Sequence, residues 1–154
     1  MMAQIETGCV EFQVLVIPFR HDGNGFVYAL LRRRDTGYWQ GVAGGGEVGE
    51  SPLATARREV REEASVDGGA ELVALDARAM VPMTGEFTWG PEVLVIPEYA
   101  FGACVESAEL RLSDEHTEYG WFGFDQASEA VRWDSNRTAL WELDHRLHQR
   151  AGSA

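Results

Sequence analysis

The chain has 154 residues, of which 45% are hydrophobic and 25% are charged, and its formal net charge at pH 7 is −12. A chain of this length can bury a core without disulfide support, so we expect one domain over residues 1–154. The acidic balance argues against a nucleic-acid-binding protein, which needs a basic face, and no apolar run is long enough to span a membrane.

The N-terminal sequence lacks a basic start followed by an apolar segment, so it predicts no secretion signal, and we expect a cytoplasmic protein. The two cysteines, Cys9 and Cys104, belong to no CxxC or Cys/His group and are expected to be reduced thiols. The histidines show no spacing typical of a transition-metal site, and we expect all four at the surface: His21, His116, His145 and His148.

A β-hairpin is predicted near the N-terminus. The apolar residues Val10, Phe12, Val14 and Val16 alternate only loosely with their neighbours before Pro18. The sequence HDGNG at 21–25 indicates a turn, and residues 26–33 form the expected return strand. The following RDTGYWQGVAGGGE is predicted to be a long glycine-rich connection that is too irregular for a helix.

A helix is predicted from Pro52 to about Ala64, with Ser51 as its cap. Apolar residues at spacings of three and four predict its buried stripe: Leu53, Ala56, Val60 and Ala64. Strands are then expected at about 71–81, 93–104 and 117–123. A C-terminal helix should follow, capped by Ser135 or Asn136 with Asn136 favoured, and should bury Leu140, Leu143 and Leu147. The order of elements predicts an α/β fold with a mixed sheet.

Three carboxylates are predicted to meet on one side of the first helix, because residues at i, i+3 and i+4 share a face. They belong to Glu59, Glu62 and Glu63. One interpretation is a solvated surface on which neighbouring arginines balance the charge. The other is a site for Mg²⁺ or Mn²⁺, which prefer oxygen ligands, next to a glycine run that can approach a phosphate closely.

The second interpretation is favoured because the stretch from Gly44 to Val66 resembles the Nudix box, G-x5-E-x7-R-E-U-x-E-E-x-G-U, where U is a bulky aliphatic residue. Eight of its nine specified positions match: Gly44, Glu50, Arg58, Glu59, Val60, Glu62, Glu63 and Val66. Ser65 stands where the family has glycine, at a helix end where left-handed geometry favours glycine. We expect this departure to affect local stability rather than metal binding.

The resemblance implies an α/β/α sandwich around a mixed sheet and hydrolysis of a diphosphate linkage in a nucleoside diphosphate derivative. It implies that Glu59 and Glu63 are the main metal ligands, that Glu62 is a further ligand or base, and that the carbonyl of Gly44 adds an oxygen. Arg58 and Glu50 are expected to pair, so that Arg58 contributes to catalysis by orienting the neighbouring ligand.

A carboxylate outside the box is also expected to complete the site. The resemblance directs attention to the loop before the last strand, where we predict that Glu115 is a ligand or the general base. Asp114 and Glu118 are the alternatives, and the three could also be solvated loop acids.

The sequences WDSNRTAL and DEHTEYGWF resemble the dihydroneopterin triphosphate pyrophosphatase branch, which also accepts nucleoside triphosphates such as dATP. Arg33, Trp39 and Gln40 are the candidate substrate-binding residues, although Arg33 could equally be solvated and Trp39 could be a packing residue. The alternatives are a nucleotide-sugar or dinucleotide pyrophosphatase and a catalytically silent nucleotide sensor. The sequence leaves the oligomeric state open, a homodimer included.

Overall fold

The computed structural model describes residues 11–83 and 92–152, so Cys9 and the predicted start of the first strand lie outside the described residues. The elements in chain order are β1 (Gln13–His21), β2 (Phe26–Arg33), β3 (Trp39–Gln40), β4 (Val42–Gly45), α1 (Pro52–Ala64), β5 (Leu72–Pro82), β6 (Val95–Cys104), β7 (His116–Phe122), α2 (Phe124–Ala130) and α3 (Asp134–Gly152). Among these helices, none is long and apolar enough to cross a membrane.

The strands form one mixed sheet with β1 at its centre. The main order is β3-β2-β1-β6-β5, while β4 pairs with β1 and β7 pairs with β2. The β1–β6 pair is parallel, and the other pairs are antiparallel. Helix α1 packs on one face, and α2 and α3 pack on the other. The expected α/β/α sandwich is therefore confirmed.

Strand β1 supplies side chains to both cores. Leu15, Ile17 and Phe19 pack in the cluster that includes α3, whereas Val14 and Val16 pack in the cluster that includes α1. Successive side chains of a strand point to opposite faces, so a strand covered on both faces is continuously apolar. This explains why the predicted alternation in this stretch is only loose.

Strand β1 continues through Pro18 and ends at His21, where the predicted turn begins. A proline lacks the N–H that a central strand normally donates. On one edge, β1 pairs with β4 as far as Val16 and with β2 from Phe19 onward. Pro18 lies between the parts of β1 that pair with these two strands, so its missing N–H interrupts neither pairing.

Two short strands and one short helix were not predicted. Strands β3 and β4 lie within the supposed connection and contain two and four residues, too few to display a periodicity. At Gly41, between them, an added Cβ would lie 2.8 Å from Leu15 Cδ1, so this link must run directly over β1. Helix α2 buries one residue, Ala127, and Gly123 provides no side-chain cap.

Helix α1 has the predicted bounds. The Ser51 side chain accepts a hydrogen bond from the backbone N–H of Ala54, and Pro52 occupies the first turn. The prediction that Leu53 is buried was wrong, because its side chain is 44% exposed. Ala56, Val60 and Ala64 are buried as predicted. The buried face begins at Thr55, whose hydroxyl donates to Glu50 Oε1 at 2.9 Å. In the first turn of α1, this hydrogen bond of Thr55 therefore replaces the apolar contact that the pattern predicts for Leu53.

Ser65 ends α1 in the left-handed region, with φ 57° and ψ 33°. Its hydroxyl donates to the carbonyl oxygen of Arg111 at 3.1 Å. We expect Ser65→Ala to lower the free energy of unfolding by about 1 kcal/mol, because it loses this hydrogen bond and keeps the backbone strain. Ser65→Gly should lie close to the wild type, because relief of the strain offsets the lost bond. Urea denaturation measures both, and equal losses in the two variants would contradict this explanation.

Helix α3 buries Leu140, Leu143 and Leu147, as predicted. Asn136, however, is not its cap. The helix already begins at Asp134, and the buried Asn136 accepts a hydrogen bond at Oδ1 from the backbone N–H of Gly41 at 2.8 Å. A buried backbone donor between β3 and β4 requires an acceptor, and this asparagine provides it.

Candidate active site

Two glutamates of α1 are buried although both can ionise. The exposed fractions are 9% for Glu59 and 8% for Glu63, whereas the Glu62 side chain is 52% exposed. Burial raises the pKa of Glu59 to about 7; Glu62 and Glu63 add to this increase, and Arg58 opposes it. The three predicted carboxylates therefore influence one another, with Glu62 at the solvent edge.

The backbone of β4 lies directly against the first of these carboxyl groups. A Cβ added to Gly44 would lie 2.0 Å from Glu59 Cδ, a separation that no side chain permits. A larger residue here would push the carboxyl group of Glu59 away from β4, so glycine is what allows the two to lie in contact. The result is a small region in which a carboxylate and backbone groups of β4 lie side by side.

Arg58 connects helix α1 to Gly45 and Glu50, which precede the helix in the chain. Its Nε donates to Glu50 Oε2 at 2.8 Å, and its Nη2 donates to Glu50 Oε1 at 3.0 Å and to the carbonyl oxygen of Gly45 at 2.9 Å. Its Nη1 donates to Glu59 Oε1 at 2.9 Å and to Glu62 Oε2 at 3.3 Å. The guanidinium lowers the pKa of Glu50 to about 2. Arg58 therefore fixes the position of one buried carboxylate relative to β4.

Glu63 is held by two residues that the sequence analysis did not assign to the site. The Ser113 hydroxyl donates a short hydrogen bond to Glu63 Oε2, and Nδ1 of His116 lies 3.4 Å from the same oxygen. These contacts, that of His116 foremost, lower the pKa of Glu63 against the effect of burial. His116 is buried, so its predicted surface location was wrong. Its burial depends on contact with Glu63 of helix α1, far earlier in the chain, which no local pattern reveals.

We expect His116→Ala to weaken binding of a divalent cation by about 10- to 100-fold, because it leaves the carboxylate of Glu63 less firmly oriented. His116→Asn should retain most of the affinity, since its amide N–H can take the place of Nδ1–H. Isothermal titration with Mg²⁺ measures the affinity directly, and the exposed His21 provides the control variant His21→Ala. Unchanged affinity in His116→Ala would contradict the positioning of Glu63 by this imidazole.

The loop that carries Ser113 also places Glu115 beside the strand β2. Glu115 Oε2 lies 3.6 Å from Arg33 Nη1, and its side chain is about half exposed. Arg33 also pairs with Asp35 at 2.9 Å and lies close enough to Glu63 for their charges to interact. The structure thus brings Glu115 and Arg33 to the edge of the region occupied by the buried glutamates.

Trp39 and Gln40 form β3, which pairs with β2. Trp39 is half-buried and contacts Phe122 edge to face, with 5.5 Å between the ring centroids. Gln40 Oε1 accepts a hydrogen bond from the indole N–H of Trp133 at 3.2 Å. Trp39 therefore packs against the core on the α3 side, and its contact with a substrate stays a prediction.

The donor set of this region fits a hard divalent cation. Within residues 11–83 and 92–152, no three His, Cys, Asp or Glu side chains are close enough to hold an ion by themselves. Mg²⁺ commonly takes one or two protein carboxylates and completes its shell with water and substrate phosphates. Glu59 and Glu63 are carboxylates on the buried face of α1, and the backbone at Gly44 lies beside Glu59.

The chain is similar to known proteins over most of its length. A family model described as the NUDIX domain matches residues 12–141. The chain is 30% identical over 132 residues to dihydroneopterin triphosphate diphosphatase of Escherichia coli, covering 82% of this chain and 87% of that protein.

Two further proteins extend the similarity. The chain is 30% identical over 143 residues to the asymmetrical bis(5'-nucleosyl)-tetraphosphatase of Sus scrofa, covering 92% of this chain and 93% of that protein. A crystal structure described as a NUDIX hydrolase from Listeria monocytogenes superimposes with a TM-score of 0.83 at 39% identity, covering 90% of this chain and 95% of the other. The chain belongs to the Nudix family and is a Nudix hydrolase.

Proposed function

We propose that this hydrolase is a single-domain, Mg²⁺-dependent pyrophosphohydrolase, with Mn²⁺ as an alternative cation, that cleaves a nucleoside or pterin triphosphate into pyrophosphate and the monophosphate. The observation that carries the proposal is the pair of buried carboxylates, Glu59 and Glu63, which lie one helical turn apart, with the Glu59 carboxyl group against the backbone of β4 at Gly44. Burial raises the pKa of Glu59 in spite of Arg58, so its ionised form is costly unless a further cation compensates it.

In this proposal, Glu59, Glu63 and the carbonyl of Gly44 hold the ion, and Glu62 is a further ligand at the solvent edge. A bound divalent cation stabilises charge on the phosphate oxygens and makes a bound water more acidic. Arg58 keeps Glu59 oriented through contacts that reach Glu50. Arg33 contributes positive charge where the phosphates arrive, which an acidic chain needs in order to bind an anion.

Glu115 is the proposed general base, because it is a solvent-accessible carboxylate on a loop anchored to Glu63 through Ser113. We expect Glu115→Gln to lower kcat by about 100-fold with little change in KM. The matched control is Glu118→Gln, an exposed glutamate that pairs with Arg32 at 3.9 Å. Steady-state assays at saturating Mg²⁺ decide: if Glu115→Gln retains kcat within about twofold of the wild type, the role passes to Glu62.

A second candidate is hydrolysis of a dinucleoside polyphosphate. It is favoured by the porcine relative, whose name describes cleavage of a bis(5'-nucleosyl) tetraphosphate and which matches this chain over 93% of its own length. The buried carboxylates would serve the same phosphate chemistry in both cases. The two candidates differ in whether the site must admit one nucleoside or two.

The test is a panel of dihydroneopterin triphosphate, dATP, dGTP, diadenosine tetraphosphate and a nucleotide sugar, each assayed with and without Mg²⁺ and resolved by product. We expect pyrophosphate and a monophosphate from at least one triphosphate, in the presence of the cation. Turnover of diadenosine tetraphosphate alone would favour the second candidate. Binding of a nucleotide without any product would indicate a silent sensor and would contradict the proposal.

A further inference from the structure

A groove runs along the outer edge of the sheet, between β5 and the second half of α3. Its volume is about 510 Å³. Strand β5 is the last strand of the main order, and of the strands that the structure describes only β6 pairs with it. Three residues of β5 and three of α3 line this β5 groove: Leu72, Val73, Ala74, Arg146, Gln149 and Arg150. The groove therefore combines the edge of a strand with one side of a helix.

The backbone of β5 directs polar groups towards this edge. The backbone N–H of Cys104 donates to the carbonyl oxygen of Glu71 at 2.9 Å, so these two residues form a hydrogen-bonded pair just before β5 begins. Such pairs alternate with non-hydrogen-bonded pairs along an antiparallel ladder. In the register of β5 on β6, Leu72 and Ala74 are at the non-hydrogen-bonded positions. Their N–H and C=O groups therefore point away from β6, towards the position of a further strand.

The edge is accessible only over a short length. Past its first three residues the register of β5 shifts, and the backbone N–H groups of Asp76 and Ala77 donate to the two carboxylate oxygens of Glu142 at 2.7 Å each. At the other end of the groove, Arg150 Nη1 donates to Glu71 Oε1 at 2.8 Å. Bulges and charged side chains hinder pairing with long strands, so the groove suits a segment of a few extended residues.

Positive charge lines the α3 side of the groove, although the chain has a net charge of −12. Arg146 pairs with Asp76 and Glu142, and Arg150 pairs with Glu71. The side chains of Arg150 and Glu71 are both more than half exposed, and exposed ion pairs are weak. A guanidinium has more N–H donors than this pair uses. Carboxylates of a bound segment can therefore join these arginines at little cost.

We propose that the β5 groove binds an extended acidic segment of a partner protein, which adds a strand to the free edge of β5 and places carboxylates beside Arg146 and Arg150. The N–H and C=O groups of Leu72 and Ala74 provide the backbone hydrogen bonds, and the arginines provide the charge preference. A second copy of this chain fits the charge less well, because a two-fold interface would place these arginines near their own equivalents. The proposal goes beyond the proposed function and does not depend on hydrolysis.

The probe is a blocked peptide of about eight alternating glutamates and valines, a pattern that combines charge with strand propensity. Its binding to the full chain is measured by isothermal titration and by amide hydrogen exchange. At saturating peptide, we expect the amide protons of Leu72 and Ala74 to exchange about tenfold more slowly or less, whereas Val73, whose N–H faces β6, should change little.

Two control peptides separate charge from strand addition. The peptide with lysine in place of glutamate should bind at least about tenfold more weakly, because it meets the arginines with like charge. A polyglutamate peptide of the same length carries more charge but has a low strand propensity, and it should also bind more weakly. Equal binding of polyglutamate would show that charge alone attracts the peptide and would overturn the strand addition.

Variants of the chain test the two parts of the groove. Ala74→Pro removes an N–H that β6 does not use, and we expect it to weaken peptide binding about fivefold or more, whereas Ala74→Val keeps the N–H and should stay within about twofold. Arg150→Gln should weaken binding about tenfold. Its matched control is Arg61→Gln, which alters an exposed arginine of α1 and should leave the affinity unchanged. Unchanged affinity in both Ala74→Pro and Arg150→Gln would refute the proposal.

The remaining outcomes are equally decisive. Slow exchange of Leu72 and Ala74 without peptide would show that the edge is already covered, and a dimer that protects these amides would assign the edge to a second copy; either result would overturn the proposal. If Ala74→Pro fails to fold, peptides methylated at the backbone nitrogens of either the glutamates or the valines decide. One set should abolish binding and the other should be tolerated, and tolerance of both would refute strand addition.

Discussion

The Glu59→Gln variant is expected to turn over substrate at least about 100-fold more slowly than the wild type and, without metal, to unfold at a higher temperature. The amide keeps the shape that fits against Gly44 but lacks the negative charge that a hard cation requires. The gain in stability has a separate cause. Burial raises the pKa of this carboxyl group from 4.5 to about 7, so the folded chain disfavours its ionised form.

The sign of the pH dependence follows from this shift. Because the pKa of Glu59 is higher in the folded chain than in the unfolded chain, the ionised carboxylate destabilises the fold above about pH 7, and protonation removes this penalty as the pH falls towards 4.5. The metal-free wild type should therefore approach the stability of Glu59→Gln as the pH is lowered from about 8 to about 5. Melting curves in chelator measure this difference, with Glu118→Gln as control.

Added Mg²⁺ provides the complementary measurement. It should raise the melting temperature of the wild type, because the cation binds the folded carboxylates, and should have little effect on Glu59→Gln. A difference between the two proteins that stays constant from pH 8 to pH 5 would show that Glu59 is not a destabilising buried charge. An equal response to Mg²⁺ would show that the cation binds elsewhere.

Arg58→Met should lower the free energy of unfolding by about 2–4 kcal/mol, because it leaves charged partners of a largely buried arginine uncompensated. The side chains of Arg58 and Glu50 are only 15% and 18% exposed. Arg58→Lys should lose about half as much, since an ammonium group keeps the charge but cannot reach Glu50, Glu59 and the carbonyl of Gly45 in one forked arrangement. Urea denaturation at pH 7 measures all three proteins.

Acid pH gives this second prediction a separate test. The pKa of Glu50 is lowered to about 2 by Arg58, so its ionisation stabilises the fold above the unfolded value near 4.5 and this contribution is lost as the pH falls towards 2. The loss of stability between pH 5 and pH 3 should be smaller in Arg58→Met than in the wild type. Arg61→Met, an exposed arginine of the same helix, is the control. Equal destabilisation by both variants would contradict the central position of Arg58.

The predictions that held rest on signals contained within short segments. Ser51 and Pro52 specify the start of α1, and the spacing of Glu59 and Glu63 places both on one face of any helix that forms there. The hairpin between β1 and β2 is similarly specified by its turn residues. In each case the residues that determine the structure are within a few positions of one another, so the sequence displays their relation directly.

The features that were missed depend on distant partners. His116 is buried because it meets Glu63, and Asn136 is a backbone acceptor because it meets Gly41. A local pattern for Asn136 favours a helix cap, and that pattern was overridden by the requirement of a buried N–H 95 residues earlier. The burial of Glu98 in β6 was also missed, because no local sequence pattern distinguishes a buried glutamate in a strand from an exposed one.

The parallel pairing of β1 with β6 has a consequence for how the chain acquires its structure. The hydrogen bond between Gln13 and Glu98 joins residues 85 positions apart, and contacts of such separation form slowly because a long loop must close first. During synthesis, helix α1 leaves the ribosome well before β6, so β1 lacks its parallel partner for that time. We therefore expect helix α1 to form in the nascent chain before β6 can pair with β1. Arrested shorter chains should then expose an incomplete sheet edge that is prone to aggregation.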